Sequence, residues 1–252
     1  MNRETGDPGT WRIAWSSVKA NRVPMLALWA AATLLASAYY CVPWVADALR
    51  PIRMWQERNG ALAAFATQFV FCGVLPAVFL HAVREIKTER PLLKCALQSL
   101  WSGCWGVVYL WFYAMQARMF GDGHGLLTLL LKTAFDQFVW TPLLPVPLTS
   151  TFFLWMGSGF SVARTVRTCR DGYFRRVLLP NLVSNWVVWI PAVASVYAFP
   201  LDLQVQVLGF VACFWTLVCL QLGRRAATGG AATRFRHFRH RCASRAYTRS
   251  IV

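Results

Sequence analysis

The chain has 252 residues, 57% of them hydrophobic, with 13 Trp and 17 Phe. Such a composition excludes an ordinary soluble domain of this length and leaves an integral membrane protein. The net charge of +16 comes almost entirely from arginine, since lysine occurs only at Lys19, Lys87, Lys94 and Lys132.

Residues 1–22 are polar and lack the apolar core of a signal peptide. Glu4 and Asp7 argue against a cleavable mitochondrial presequence, which is poor in acids. Trp11, Ala14, Trp15 and Val18 share one helical face, with Arg12, Lys19 and Arg22 elsewhere, which predicts a short amphipathic helix on the membrane surface. Hydrophobic stretches follow at 23–46, 61–83, 95–116, 126–156, 177–199 and 203–222. Taken as six spans, they divide the basic residues outside them 21 to 4 between the two sides. That asymmetry predicts both termini on the positive, cytoplasm-like side. One span over 177–222 would instead carry the arginine-rich tail across the membrane. The expected fold is therefore all-α, a six-span polytopic helix bundle over 23–222, with Pro200 separating the last two spans.

The fourth stretch is unusual. Lys132 and Asp136 lie one helical turn apart on one face, where opposite charges neutralise each other, and Gln137 follows. A charge at membrane depth costs about 2.5–3.5 kcal/mol on insertion scales and ordinarily faces a bundle interior or a wet cavity. Pro142, Pro145 and Pro147 come next. Each lacks a donor and clashes with the carbonyl four residues back, so Phe138, Thr141 and Leu143 are expected to lose partners and the helix to break or kink.

Two further polar stripes join this one. Gln98, Ser102, Tyr109, Tyr113 and Gln116 fall within an arc of about 60° on the third span. Asn181, Ser184 and Asn185 share a face of the fifth, continued by Ala192 and Ser195. Three polar faces predict a shared wet interior between spans three, four and five. The competing reading is interhelical hydrogen-bond glue, worth about 0.6 kcal/mol per contact.

Residues 223–252 form a basic tail that starts near Gly229-Gly230. Arg234, Arg236, Arg239 and Arg241 within it are expected to bind anionic lipid headgroups, at about 1 kcal/mol each. A nucleic-acid partner is not expected. The eight cysteines show no metal or redox spacing, and most lie in apolar stretches where a thiol acts as a small hydrophobe. His81 and His124 have no partner of known spacing, and no hydrolase, nucleotide-binding or metalloprotease motif occurs. No catalytic residue, cofactor or metal is expected.

Lys132-x-x-x-Asp136-Gln137-x-x-x-x-Pro142 resembles the signature of the Mpv-seventeen family, which includes the twenty-two-kilodalton peroxisomal membrane protein. Phe112-Tyr113 upstream, and Asn185-Trp186, Trp189, Pro200 and Trp215 downstream, follow the family's spacing with one residue missing before Pro200. The resemblance covers about 94–222. It departs where the family's Trp-Pro is split as Trp189-Ile190-Pro191, at Ser195-Val196 and at Gln204, and span 61–83 is extra. It implies a channel-like protein of a mitochondrial inner, peroxisomal or bacterial inner membrane. The expected function is thus a channel or transporter for small solutes or ions. The alternative is a non-conducting membrane protein that organises lipids or partner proteins, and homo-oligomerisation is compatible with either.

Overall fold

A computed structural model describes residues 22–82, 90–170 and 173–217. The amphipathic leader and the arginine tail fall outside the described residues. Everything described is helix or the turns that connect helices.

Helix α1 (Arg22–Cys41) ends before Pro43, and α2 (Pro43–Asn59) leaves it at 101°. The first helix thus ends short of the expected 23–46. The turn falls where Pro43, whose ring removes a donor, occupies the first position of a new helix. Helix α3 runs Ala61–Gln68, a π turn Phe69–Val74, then Leu75–Ala82. Helix α4 runs unbroken over Pro91–Phe120. Helix α5 comprises Leu126–Phe135, a π turn Asp136–Trp140 and Thr141–Leu143, and α6 follows as Pro145–Gly157. A short amphipathic α7 (Val162–Arg170) leads to a π turn Phe174–Leu178, α8 (Leu179–Tyr197) and α9 (Leu201–Leu217). Pro200 thus lies between two helices, as expected.

Ala61–Phe79 and Leu126–Gly157 are each long and apolar enough to cross a membrane, and Met25–Cys41 with Pro43–Asn59 makes a third if that bent pair is one span. Leu201–Leu217 is apolar but shorter. In α4 and α8 the tryptophans, amides, serines, glycines and prolines dilute the apolar content. Leu126, Leu130, Phe138 and Leu143 on α5 and Trp111 on α4 remain exposed. Large apolar side chains turned outward suit a hydrocarbon surround and not water.

Small residues bring α3 and α4 together. A Cβ on Gly106 would overlap the Ala64 carbonyl oxygen, and one on Gly73 would overlap the Ser99 Cα, both closer than 3.0 Å. These pairs run antiparallel. The indole of Trp29 donates to the Val188 carbonyl (2.9 Å), Thr33 meets Ser195 (3.3 Å) and the Tyr40 hydroxyl donates to the Ala198 carbonyl (2.5 Å). Helices α1 and α8 therefore run parallel. So do α3 and α9: Gln68 donates to the Val205 carbonyl (3.1 Å), and Phe71 packs on Phe210 at 4.4 Å. A buried chain Gln56–Gln206–Thr67 ties α2, α9 and α3 together.

Candidate functional site: a polar cavity beside the π turn of α5

The π turn is the organising feature of the site. In it the Thr141 N–H donates to the Asp136 carbonyl, five residues back. Continuing that register, the next donor should serve the Gln137 carbonyl, but the next residue is Pro142, which has none. The orphaned carbonyl is instead taken by the Trp186 indole N–H from α8 at 2.6 Å. Asn185, beside it, donates to the Gln137 side-chain oxygen at 3.3 Å. Irregular backbone in an apolar surround survives only when protein satisfies it, and here the Trp186 indole does so.

The expected break or kink falls at Leu144 (φ −123°, ψ −68°), just beyond the π turn, while Leu126–Gly157 still runs on as one apolar stretch of 32 residues. The Leu144 N–H still reaches the Trp140 carbonyl at 2.9 Å. Pro145 starts the next helical segment and Pro147 lies in its first turn, where a missing donor costs little. The acceptor that Pro142 deprives is Gln137 and not Phe138, because the π turn shifts the register by one.

The π turn also aims Asp136. Thr141 Oγ1 (3.0 Å) and Gln137 Nε2 (3.3 Å) donate to Oδ1, and the Tyr197 hydroxyl donates to Oδ2 at 2.7 Å. Gln116 Nε2 in turn donates to the Tyr197 hydroxyl at 3.0 Å. Three donors suit an acceptor-only carboxylate. The neutralising pair with Lys132 does not form: among the described residues no ion pair joins them, although both side chains are buried. Hydroxyl and amide donors from α8 and from the π turn itself have taken the carboxylate oxygens.

A cavity of about 560 Å³ opens beside this network. Gln98, Ser102, Tyr109 and Tyr113 of α4, Asp136 and Gln137 of α5, and Asn181 and Asn185 of α8 all line it. Of the polar residues singled out in the sequence, Lys132 stays off the wall, Gln116 is buried behind it, and Ser195 faces a separate groove with Thr33, Tyr40 and His124. Helices α3 and α9 also contribute, through Gln68, Cys72, Trp215 and Thr216, so the cavity is not confined to spans three, four and five.

Reading α4 for polarity alone found Tyr109 and Tyr113 but missed Trp101 and Trp105. Trp101, Trp105, Tyr109 and Tyr113 recur every fourth residue and all line the cavity. Their successive ring centroids lie 6.0, 5.5 and 5.9 Å apart, a ladder along the wall. The four-residue interval was the available signal. Tyr113, at the lower end, is 1% exposed and packs edge-on against Tyr197 at 5.3 Å. Among the described residues its hydroxyl and the Trp101 indole N–H have no hydrogen-bond partner. No group of three or more metal-binding side chains occurs among the described residues.

Comparison with known protein families, curated proteins and solved structures gives no match.

Proposed function

We propose that the chain is a membrane channel or transporter whose pathway runs through this cavity, a distant relative of the Mpv-seventeen type in an organelle or bacterial inner membrane. One observation carries the reading: polar residues from three sequence-distant stripes line a single cavity, in a chain whose outer faces are apolar. Helix directions support the six-span topology. Spans one and five run parallel, as do two and six, while two and three run antiparallel. Regular alternation across a membrane requires this parity.

The non-conducting alternative draws on the interhelical hydrogen bonds that stripe residues make. Asn181 to Ser150 (3.0 Å) and Asn185 to Gln137 (3.3 Å) are interhelical glue of the ordinary kind. Against it stands the space those bonds leave open beside a buried carboxylate. Conductance of the purified protein in planar bilayers separates the two. Ion current above a protein-free control is the expected result; a folded protein that passes neither ions nor small neutral solutes supports the alternative.

A further inference from the structure

The wall of the cavity combines four aromatic rings in a row with one acidic group. Among the described residues lining it, Asp136 is the only charged one, and no lysine or arginine faces it. An anion would meet a carboxylate with no compensating cation. A small inorganic cation would need several oxygen ligands, whereas both Asp136 oxygens already accept from Thr141, Gln137 and Tyr197. A diffuse charge on an apolar body needs no such shell. It gains from the negative faces of Trp and Tyr rings within about 6 Å, together with a nearby carboxylate.

The ladder supplies those rings. Trp101 lines the cavity with one face covered by Phe152, at 4.3 Å and 4° between planes, which fixes its ring in place. Trp105 and Tyr109 continue the wall toward Tyr113, at the acidic end, whose buried hydroxyl has no partner among the described residues. Tyr113 meets Tyr197, and Tyr197 holds Asp136, so the ladder and the carboxylate are joined through one buried ring while Tyr113 and Asp136 both line the cavity.

We infer that this cavity is a binding site for a small organic monocation, of the alkylammonium or quaternary ammonium class, held between the Trp101–Tyr113 ladder and Asp136. The inference rests on reading the cavity as the solute site and adds the chemical class of the solute.

Isothermal titration of the purified full-length protein in dodecyl maltoside tests it, with choline chloride and its neutral isostere 3,3-dimethylbutan-1-ol as probes. Choline should bind at least about tenfold more tightly than the isostere. Asp136→Asn should reduce that preference to within about threefold, and Trp105→Leu should weaken choline binding about tenfold. The wild-type comparison stands even if a variant misfolds. Equal affinity for the two probes, glucose bound in place of choline, or no choline binding up to ~100 mM would overturn the assignment. Potassium current in planar bilayers together with any of those outcomes would remove the organic cation and keep the pathway. Choline binding without any current would keep the site and remove the conducting function.

Discussion

The Trp186 indole N–H, on α8, donates to the Gln137 backbone carbonyl, on α5, across 2.6 Å. Pro142 creates the vacancy and Trp186 fills it, so two residues 44 positions apart in sequence are one structural device. Leaving a buried acceptor unpaired costs about 1–3 kcal/mol. Trp186→Phe should therefore destabilise the protein in detergent by about that amount. Pro142→Ala returns a backbone N–H to the same carbonyl. In the Trp186→Phe background it should recover part of the loss, which chemical unfolding of the single and double variants would show. Additive losses would mean that the indole bond and the proline are unrelated.

Asp136 and Lys132 should behave independently. The carboxylate is held by Tyr197, Thr141 and Gln137, and no ion pair joins it to Lys132. Stability losses from Lys132→Met and Asp136→Leu should add to within about 0.5 kcal/mol, as for uncoupled sites. A double variant much more stable than that sum would restore the pairing expected from the sequence. Tyr197→Phe should cost about 1.5–3 kcal/mol, the range for a hydrogen bond to a charged group.

Close approach of α3 and α4 makes Gly106 intolerant of a side chain. An added Cβ would run into the Ala64 carbonyl oxygen, a backbone atom that cannot rotate away. Gly106→Ala should destabilise by about 1–3 kcal/mol, the usual cost of overpacking. Thermal unfolding in detergent measures it, with Gly123→Ala, where a Cβ meets open space, as the control.

The Arg53–Asp202 pair (2.7 Å) joins α2 to the start of α9, outside the proposed spans. Partial burial is the largest single effect and raises the Asp202 carboxyl, but the hydrogen bonds to it, that from Arg53 foremost, together with the Arg53 charge outweigh burial and the net shift is downward. A carboxyl lowered on folding contributes stability that is present above its unfolded value and lost as pH falls through the folded one. Stability should therefore decline on acidification from about pH 5 to about pH 3, and Arg53→Met should flatten that part of the profile. The contribution stays below about 1 kcal/mol because both partners are partly exposed.

Much of this arrangement was legible in the sequence. Periodicity located the helices, the basic asymmetry separated α8 from α9, and the polar stripes named much of the cavity wall, from Gln98 to Asn185. Three features were not legible, each for a physical reason. Lys132 and Asp136 do stay one α-turn apart, but the carboxylate is taken by Thr141, Gln137 and the sequence-distant Tyr197, and nothing in a 3.6-residue period announces either that contact or the π turn that follows Asp136. Helix α2 lies between Pro43 and Gly60 with a mixed polar sequence that hydropathy reads as a loop. Trp101 and Trp105 vanished into a span where aromatic residues are common, although their spacing from Tyr109 and Tyr113 was visible.

Passage of solute through the cavity is tested most directly at Ser102, which lines it midway along the polar face of α4, with Cys72 a native thiol on the same wall. The measurement is current through Ser102→Cys in a Cys72→Ser background, before and after a positively charged methanethiosulfonate reagent. If solute passes here, the reagent modifies position 102 and removes most of the current, while the Cys72→Ser parent is unaffected. Full current after complete modification at position 102, with the parent equally conducting, would place the pathway elsewhere and contradict a route through the cavity.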